Sequence, residues 1–192
     1  MAFEMPLVRT VTRTLSSVIN WKDRALYLEQ RIAQLEHCQQ MHHAVTQIIA
    51  RSSNLDNAIS RIIQALCEMI GWDFGAVWHL NRETNWLFCE ASWHTPAYAF
   101  PAFTPSCLDV TFAPGTGLPG QVWASGKPMW IKDVVIESSF LRGSLAERDG
   151  LHAGLGIPIH TEGEVIGVMT FFSRHIENTD RDLLRMLDTI GS

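Results

Sequence analysis

From Val18 to Ala50 the chain carries no proline or glycine, and apolar residues recur at steps of three and four: Val18, Trp21, Ala25, Leu28, Ile32 and Leu35. This spacing predicts a helix with a heptad-like stripe. Continued in register, the stripe passes through Gln39, His42 and Thr46 before Ile49, so the seam turns polar in its second half. A helix cannot bury such a stripe on itself. It packs either on its own domain or on a second copy of the chain, and we expect the second copy, in a homodimer. Residues 1–17 mix threonine and arginine with apolar positions in no period that assigns them a role.

Ser52-Ser53-Asn54 breaks this helix, and Ser53 or Asn54 can cap a second one. Its apolar positions Ala58, Ile62, Ala65, Leu66, Met69 and Ile70 keep helical spacing, and Gly71 ends it. The period then changes. Phe74 to Leu80 is short, apolar and aromatic, Asn81 to Asn85 is a turn, and Trp86 to His94 alternates, which predicts a strand hairpin. A second hairpin is predicted from Leu151–His160 and Val165–Ser173, joined by Thr161-Glu162-Gly163-Glu164, with Gly163 supplying a positive φ. The chain closes on a helix capped by Thr179 or Asp180 and carrying Leu183, Leu184, Leu187 and Ile190.

Between the hairpins lies an irregular stretch, 94–111, with prolines at 96, 101 and 105. Loops of this length in compact domains are usually functional or mobile. A glycine-rich run follows, from Pro114 to Pro128, in which Pro119 near the start and Gly126 past the end mark a short helix. Met129–Ile131 then reads as a short strand, and Ser144–Arg148 as one helical turn closed by Asp149-Gly150.

Composition adds a boundary. The 192 residues are 46% apolar and carry a net charge of −5. Residues 1–52 hold six basic and four acidic residues, which leaves nine against sixteen for the rest. We therefore read 1–52 as a largely helical lead-in and 53–192 as one acidic α+β domain. An acidic domain argues against nucleic acid as a partner. The longest run poor in polar residues, Val165 to Phe172, is too short to cross a bilayer, and no apolar secretory region opens the chain, so a cytoplasmic location without membrane insertion is expected. Cys38, Cys67, Cys89 and Cys107 form no CxxC pair and are expected as free thiols.

Four stretches together resemble a GAF domain, the small-molecule-sensing module related in architecture to PAS domains. They are Leu55–Leu80; Gly115-x-Gly117-Leu118-x-Gly120-x-Val122 with Gly126-Lys127-Pro128; Gly154 to Ile159 leading to Glu164 to Val168; and Phe171-Phe172-Ser173 before the last helix. The resemblance implies a six-stranded antiparallel sheet with the terminal helices on one face and a ligand pocket under loops on the other. It also implies a bacterial signalling protein whose last helix continues past Ser192 into an output domain, such as a histidine kinase or a diguanylate cyclase.

The chemistries that such domains support can be tested residue by residue. A covalent bilin needs a Cys-His pair ahead of the central strand, and Leu141-Arg142 stand there, seventeen residues before Pro158, so no bilin is expected. Reduction of free methionine sulfoxide needs a cysteine where Pro119 stands and another near the central strand, yet no cysteine follows Cys107. The cyclic-nucleotide signature is not reproduced by 174–180. Glycines 115, 117 and 120 have the spacing of a dinucleotide loop but lack its preceding strand and long following helix. His42-His43 are adjacent and cannot chelate together, and a site from Cys89, Cys107 and His94 has no local spacing behind it, so no metal is expected. No catalytic constellation emerges. Loop aromatics enclosing a planar apolar ligand remain, and the candidate pocket residues are Trp93, Phe112, Trp123, Trp130 and His152. The expected function is a non-catalytic sensor for a ligand that the residues leave unidentified. The alternative is a dimerisation spacer whose pocket has collapsed around its tryptophans.

Overall fold

The computed structural model describes residues 6–52 and 54–191, with side chains in the first helix described from Trp21 onward except at 30 and 34, so Ser53 and the side chain of Val18 lie outside the described residues. Helix α1 runs Pro6–Arg51, starting twelve residues ahead of the stripe that predicted it. Proline suits a first helical position because its missing N–H would have no partner there. The compact units divide between Gln40 and Met41. In the first unit, Trp21, Leu28, Ile32 and Leu35 each stand more than half exposed.

In the second unit, α2 spans Leu55–Ile70, directly after Asn54. Strands β1 (Phe74–Asn81) and β2 (Trp86–His94) form the first hairpin. Its turn is built by Asn81, whose Oδ1 accepts the N–H groups of Glu83 and Thr84, and Asn85 takes φ 58°. Three short helices follow around β3 (Met129–Ile131): α3 (Phe103–Asp109), α4 (Gly117–Ser125) and α5 (Gly143–Asp149). Strands β4 (Ala153–Thr161) and β5 (Glu164–Ser173) form the second hairpin, with Glu162 and Gly163 at φ 54° and 84° as a two-residue turn of the primed kind. Helix α6, Arg181–Ile190, is capped by Asp180, whose carboxylate accepts the N–H groups of Asp182 and Leu183.

The strands form one antiparallel sheet in the order β2-β1-β5-β4-β3, so the two hairpins meet along β1 and β5. Among the described residues the sheet has five strands, where six were expected. The sixth place is reduced to a single rung: Phe112 and Leu87 exchange both backbone hydrogen bonds, at 3.1 and 2.9 Å. Pairing stops there because Pro114 has no N–H to donate and Gly115 turns the chain at φ 79°.

Alternation along the strands divides the core. Phe74, Ala76, Trp78, Val168 and Phe172 face the layer of α3, α4 and α5. Val77, Leu155, Ile157, Met169 and Phe171 face the other way, against Ile63, Leu66 and Cys67 of α2, Leu187 of α6, and Met41. Helix α4 comes close to the sheet because β4 presents Gly156 there; a Cβ at that position would lie 2.6 Å from Val122 Cγ2. No helix among the described residues is long and apolar enough to cross a membrane.

Candidate functional site

A cationic side chain sits in the apolar layer between the sheet and α3–α5. Arg142 immediately precedes α5 and is only 4% exposed. Its guanidinium carbon lies 4.2 Å from the ring centre of Phe103 and within 5.4–5.9 Å of those of Trp78, Phe112, Phe140 and Phe172. The backbone places it there. Gly143 lies close to Val134, whose carbonyl oxygen would be 3.1 Å from an added Cβ, and the Arg142 carbonyl opens α5 by accepting the N–H groups of Leu145 and Ala146. At its other end, α5 holds α3: the Asp149 carboxylate accepts the N–H groups of Ala102 and Phe103 at 2.9 and 2.6 Å.

Arg142 Nη1 donates to Cys107 Sγ at 3.1 Å and, more weakly, to Ser106 Oγ at 3.4 Å. Its Nε and Nη2 are buried with no hydrogen-bond partner among the described residues. None of the ion pairs among the described residues includes it. Burial lowers the pKa of the guanidinium, with the Cys107 sulfur opposing the shift, and an arginine remains charged at neutral pH nonetheless. A buried charge without a carboxylate partner costs several kcal/mol, which the surrounding ring faces only partly offset at about 2 kcal/mol.

The thiols respond to that charge. A hydrogen bond from Cys89 and the Arg142 guanidinium hold the Cys107 thiol down to about 7, against burial, which pushes it up. The same bond, followed by burial, pushes Cys89 well above the ordinary thiol range. Cys107 therefore ionises at lower pH folded than unfolded, where its ordinary value is 9.0. Between these limits the unfolded chain holds more protons, so unfolding free energy should rise from pH ~7 toward pH ~9 through this group. Urea unfolding across that window checks it. Cys107→Ser should flatten the rise, and an unchanged slope in the variant would assign it elsewhere.

The structure separates the residues that sequence grouped. Phe112 is buried, edge-on to Trp78 with centroids 5.0 Å apart, and Trp123 packs half-buried on the same layer. Trp93 and Trp130 stand on the opposite face, among the helices. Strand parity is the reason: Trp93 pairs with Gly75, which abuts α2, and Trp130 pairs with Leu155 of that face. Trp130 stacks edge-on against Trp72 and donates its indole N–H to the Glu177 carbonyl. His152 pairs with Asp133 at 3.1 Å. Cys89 packs against the cluster that holds Cys107 and directs its thiol to the Ala91 carbonyl, while His94 contacts the Thr95 carbonyl and lies edge-to-face with Phe100. Leu141 is 65% exposed, whereas its neighbour Arg142 is buried. Sequence reading missed Arg142 as a site residue; the signal available was a lone arginine behind Phe140 and before the Gly143 turn.

A sequence profile described as a GAF domain matches residues 52–192. The chain belongs to the GAF domain family. Its solved relatives agree in fold. The GAF domain of a phosphoenolpyruvate-protein phosphotransferase from Coxiella burnetii superposes with a TM-score of 0.65 at 21% identity, over 82% of this chain and 88% of that one. The A. aeolicus nlh2 GAF domain, in an inactive state, gives 0.64 at 23% identity, over 83% and 93%. A free methionine-R-sulfoxide reductase from Neisseria meningitidis, in complex with its substrate, gives 0.61 at 18%, over 80% and 85%. No curated protein matches the chain. GAF domains are in general sensory or regulatory modules, and the family places this chain among them.

Proposed function

We propose that this GAF domain is a non-catalytic cytoplasmic sensor. It takes a small molecule between the sheet and the α3–α5 layer, and relays occupancy through its terminal helices, in a homodimer, to an output domain of the same protein. The observation that carries the ligand over a purely structural role is Arg142. A spacer core has no use for a charge with two unpartnered N–H groups, and apolar residues would fill that layer at lower cost. The relay is supported by Trp21, Leu28, Ile32 and Leu35, exposed at steps of seven, four and three residues on α1. The absence of turnover is supported by Pro119, which stands where a reductase thiol is needed.

The second reading, a dimerisation spacer, draws on the close ring packing of Phe74, Phe103, Phe140 and Phe172. Thermal melting against a panel of organic acids, amino acids and nucleotides separates the two. A ligand present at ~100 times its Kd adds about 2.7 kcal/mol of stability and raises Tm. Silence across the panel favours the spacer. Ultracentrifugation should show a dimer, and a species that stays monomeric at high concentration sinks the relay. Incubation with free methionine sulfoxide and a thiol reductant should yield no methionine.

A further inference from the structure

The orientation of Arg142 says more than its burial does. A guanidinium offers its donors in edges. One of its terminal nitrogens, Nη1, is spent on Cys107 and Ser106. The two atoms left without partners, Nε and Nη2, are the pair that lies along one side of the group and points two parallel N–H bonds in the same direction. That unspent edge is the fork that a carboxylate accepts with its two oxygens.

The surroundings select within the anions. The rings of Phe103, Trp78, Phe112, Phe140 and Phe172 surround the guanidinium, so a group that reaches it comes among apolar side chains. The guanidinium brings one positive charge, and the Asp149 carboxylate, at the far end of α5, is already held by the backbone of α3. One carboxylate neutralises one guanidinium. A phosphate, with a charge between one and two negative units, would leave excess charge among aromatic rings. Leu108 and Leu141, the chain neighbours of Cys107 and Arg142, are 80% and 65% exposed, so apolar surface reaches solvent one residue away from the groups that hold the guanidinium.

We propose that Arg142 anchors a small monocarboxylic acid with an apolar body, seated bidentately on its Nε/Nη2 edge against the aromatic face of the sheet. This rests on the reading of the domain as a ligand sensor and names the class of ligand. Without the acid, the Cys107 sulfur balances the guanidinium; with it, the carboxylate takes over that role and the sulfur keeps its proton. Acid binding and Cys107 ionisation therefore oppose each other.

The test uses the whole chain with phenylacetate, its neutral amide phenylacetamide, a set of short aliphatic monocarboxylates, and inorganic phosphate, read by thermal melting and by calorimetric titration. Phenylacetate or an aliphatic acid should raise Tm and bind, while the amide and phosphate do not. Arg142→Lys keeps the charge and loses the fork, and should weaken acid binding roughly 10- to 100-fold, as expected for charge-assisted hydrogen bonds. Arg142→Met should fold at least as stably as the native chain and lose the response altogether. A merely structural arginine gives the opposite pair of results: Arg142→Met is destabilised, and no acid binds the native chain. Acid binding that survives both substitutions, or a preference for phosphate, overturns the proposal. So does an equal response to phenylacetamide, although that outcome leaves the sensor reading standing.

Discussion

Phe172→Ala is expected to cost about 3–5 kcal/mol. Phe172 is fully buried on β5 at the centre of the sheet. Its ring packs against Phe103 at 5.0 Å, Phe140 at 5.6 Å and Phe74 at 6.1 Å, so α3, β1 and the segment before α5 lose a shared partner at once. The space does not close easily. The β4 residue opposite is Gly154, whose missing side chain makes room for this ring, and it has nothing to offer in return. For a chain of this length the loss corresponds to a fall in Tm on the order of 10 °C. Urea unfolding with an unchanged slope measures it. Phe172→Leu should cost far less, because most of the volume stays. A loss below ~1 kcal/mol for the alanine variant would mean that the ring cluster re-forms around the gap.

Gly120→Ala tests the opposite effect and separates two arguments by sign. Gly120 lies inside α4, where helix propensity alone favours alanine by about 1 kcal/mol. Sterics oppose this. A Cβ here would overlap the backbone carbonyl oxygen of Ala113, which also accepts the N–H of Thr116 and its hydroxyl. Gly115 and Gly120 are joined as well, by a 2.7 Å backbone hydrogen bond. Neither partner is the free end of a side chain, so the turn itself must move. Overpacking costs about 1–3 kcal/mol, and each strained hydrogen bond adds up to about 1. A net destabilisation of roughly 2–4 kcal/mol is expected by denaturant titration, and a stabilised variant would show that the loop 113–120 is looser than its packing indicates.

The fold was legible where the code is local. Both hairpins carry their own turn chemistry, Asn81 to Asn85 in one and Glu162-Gly163 in the other, and their strands fall within two residues of the spans that periodicity predicts. Helix α3 was not legible. Pro105 and the prolines before it make 94–111 read as irregular, yet proline at the third helical position removes no hydrogen bond. What starts the helix is the Asp149 carboxylate, 47 residues away from Ala102, and no window of sequence shows that partner. The division of the candidate pocket residues between two faces has a related reason. Tryptophans in sequence near the loop were grouped together, but strand parity sends Trp93 and Trp130 to the other face. The burial of Arg142 leaves no local sign, because the rings that enclose it come from β1, β5, α3 and the segments around 112 and 140.

The strand order also dictates an order of assembly. Each hairpin closes over a turn of a few residues, whereas the seam between β1 and β5 joins positions such as Trp78 and Thr170, 92 residues apart and linked by a 2.9 Å hydrogen bond. Closing a loop of that length costs roughly 4 kcal/mol of chain entropy before any contact repays it. Cys89, Cys107, Phe112, Phe140 and Arg142 all lie inside that loop. The two hairpins are therefore expected to form early, as local events, and the rings around the guanidinium to assemble later, with the docking of one hairpin against the other.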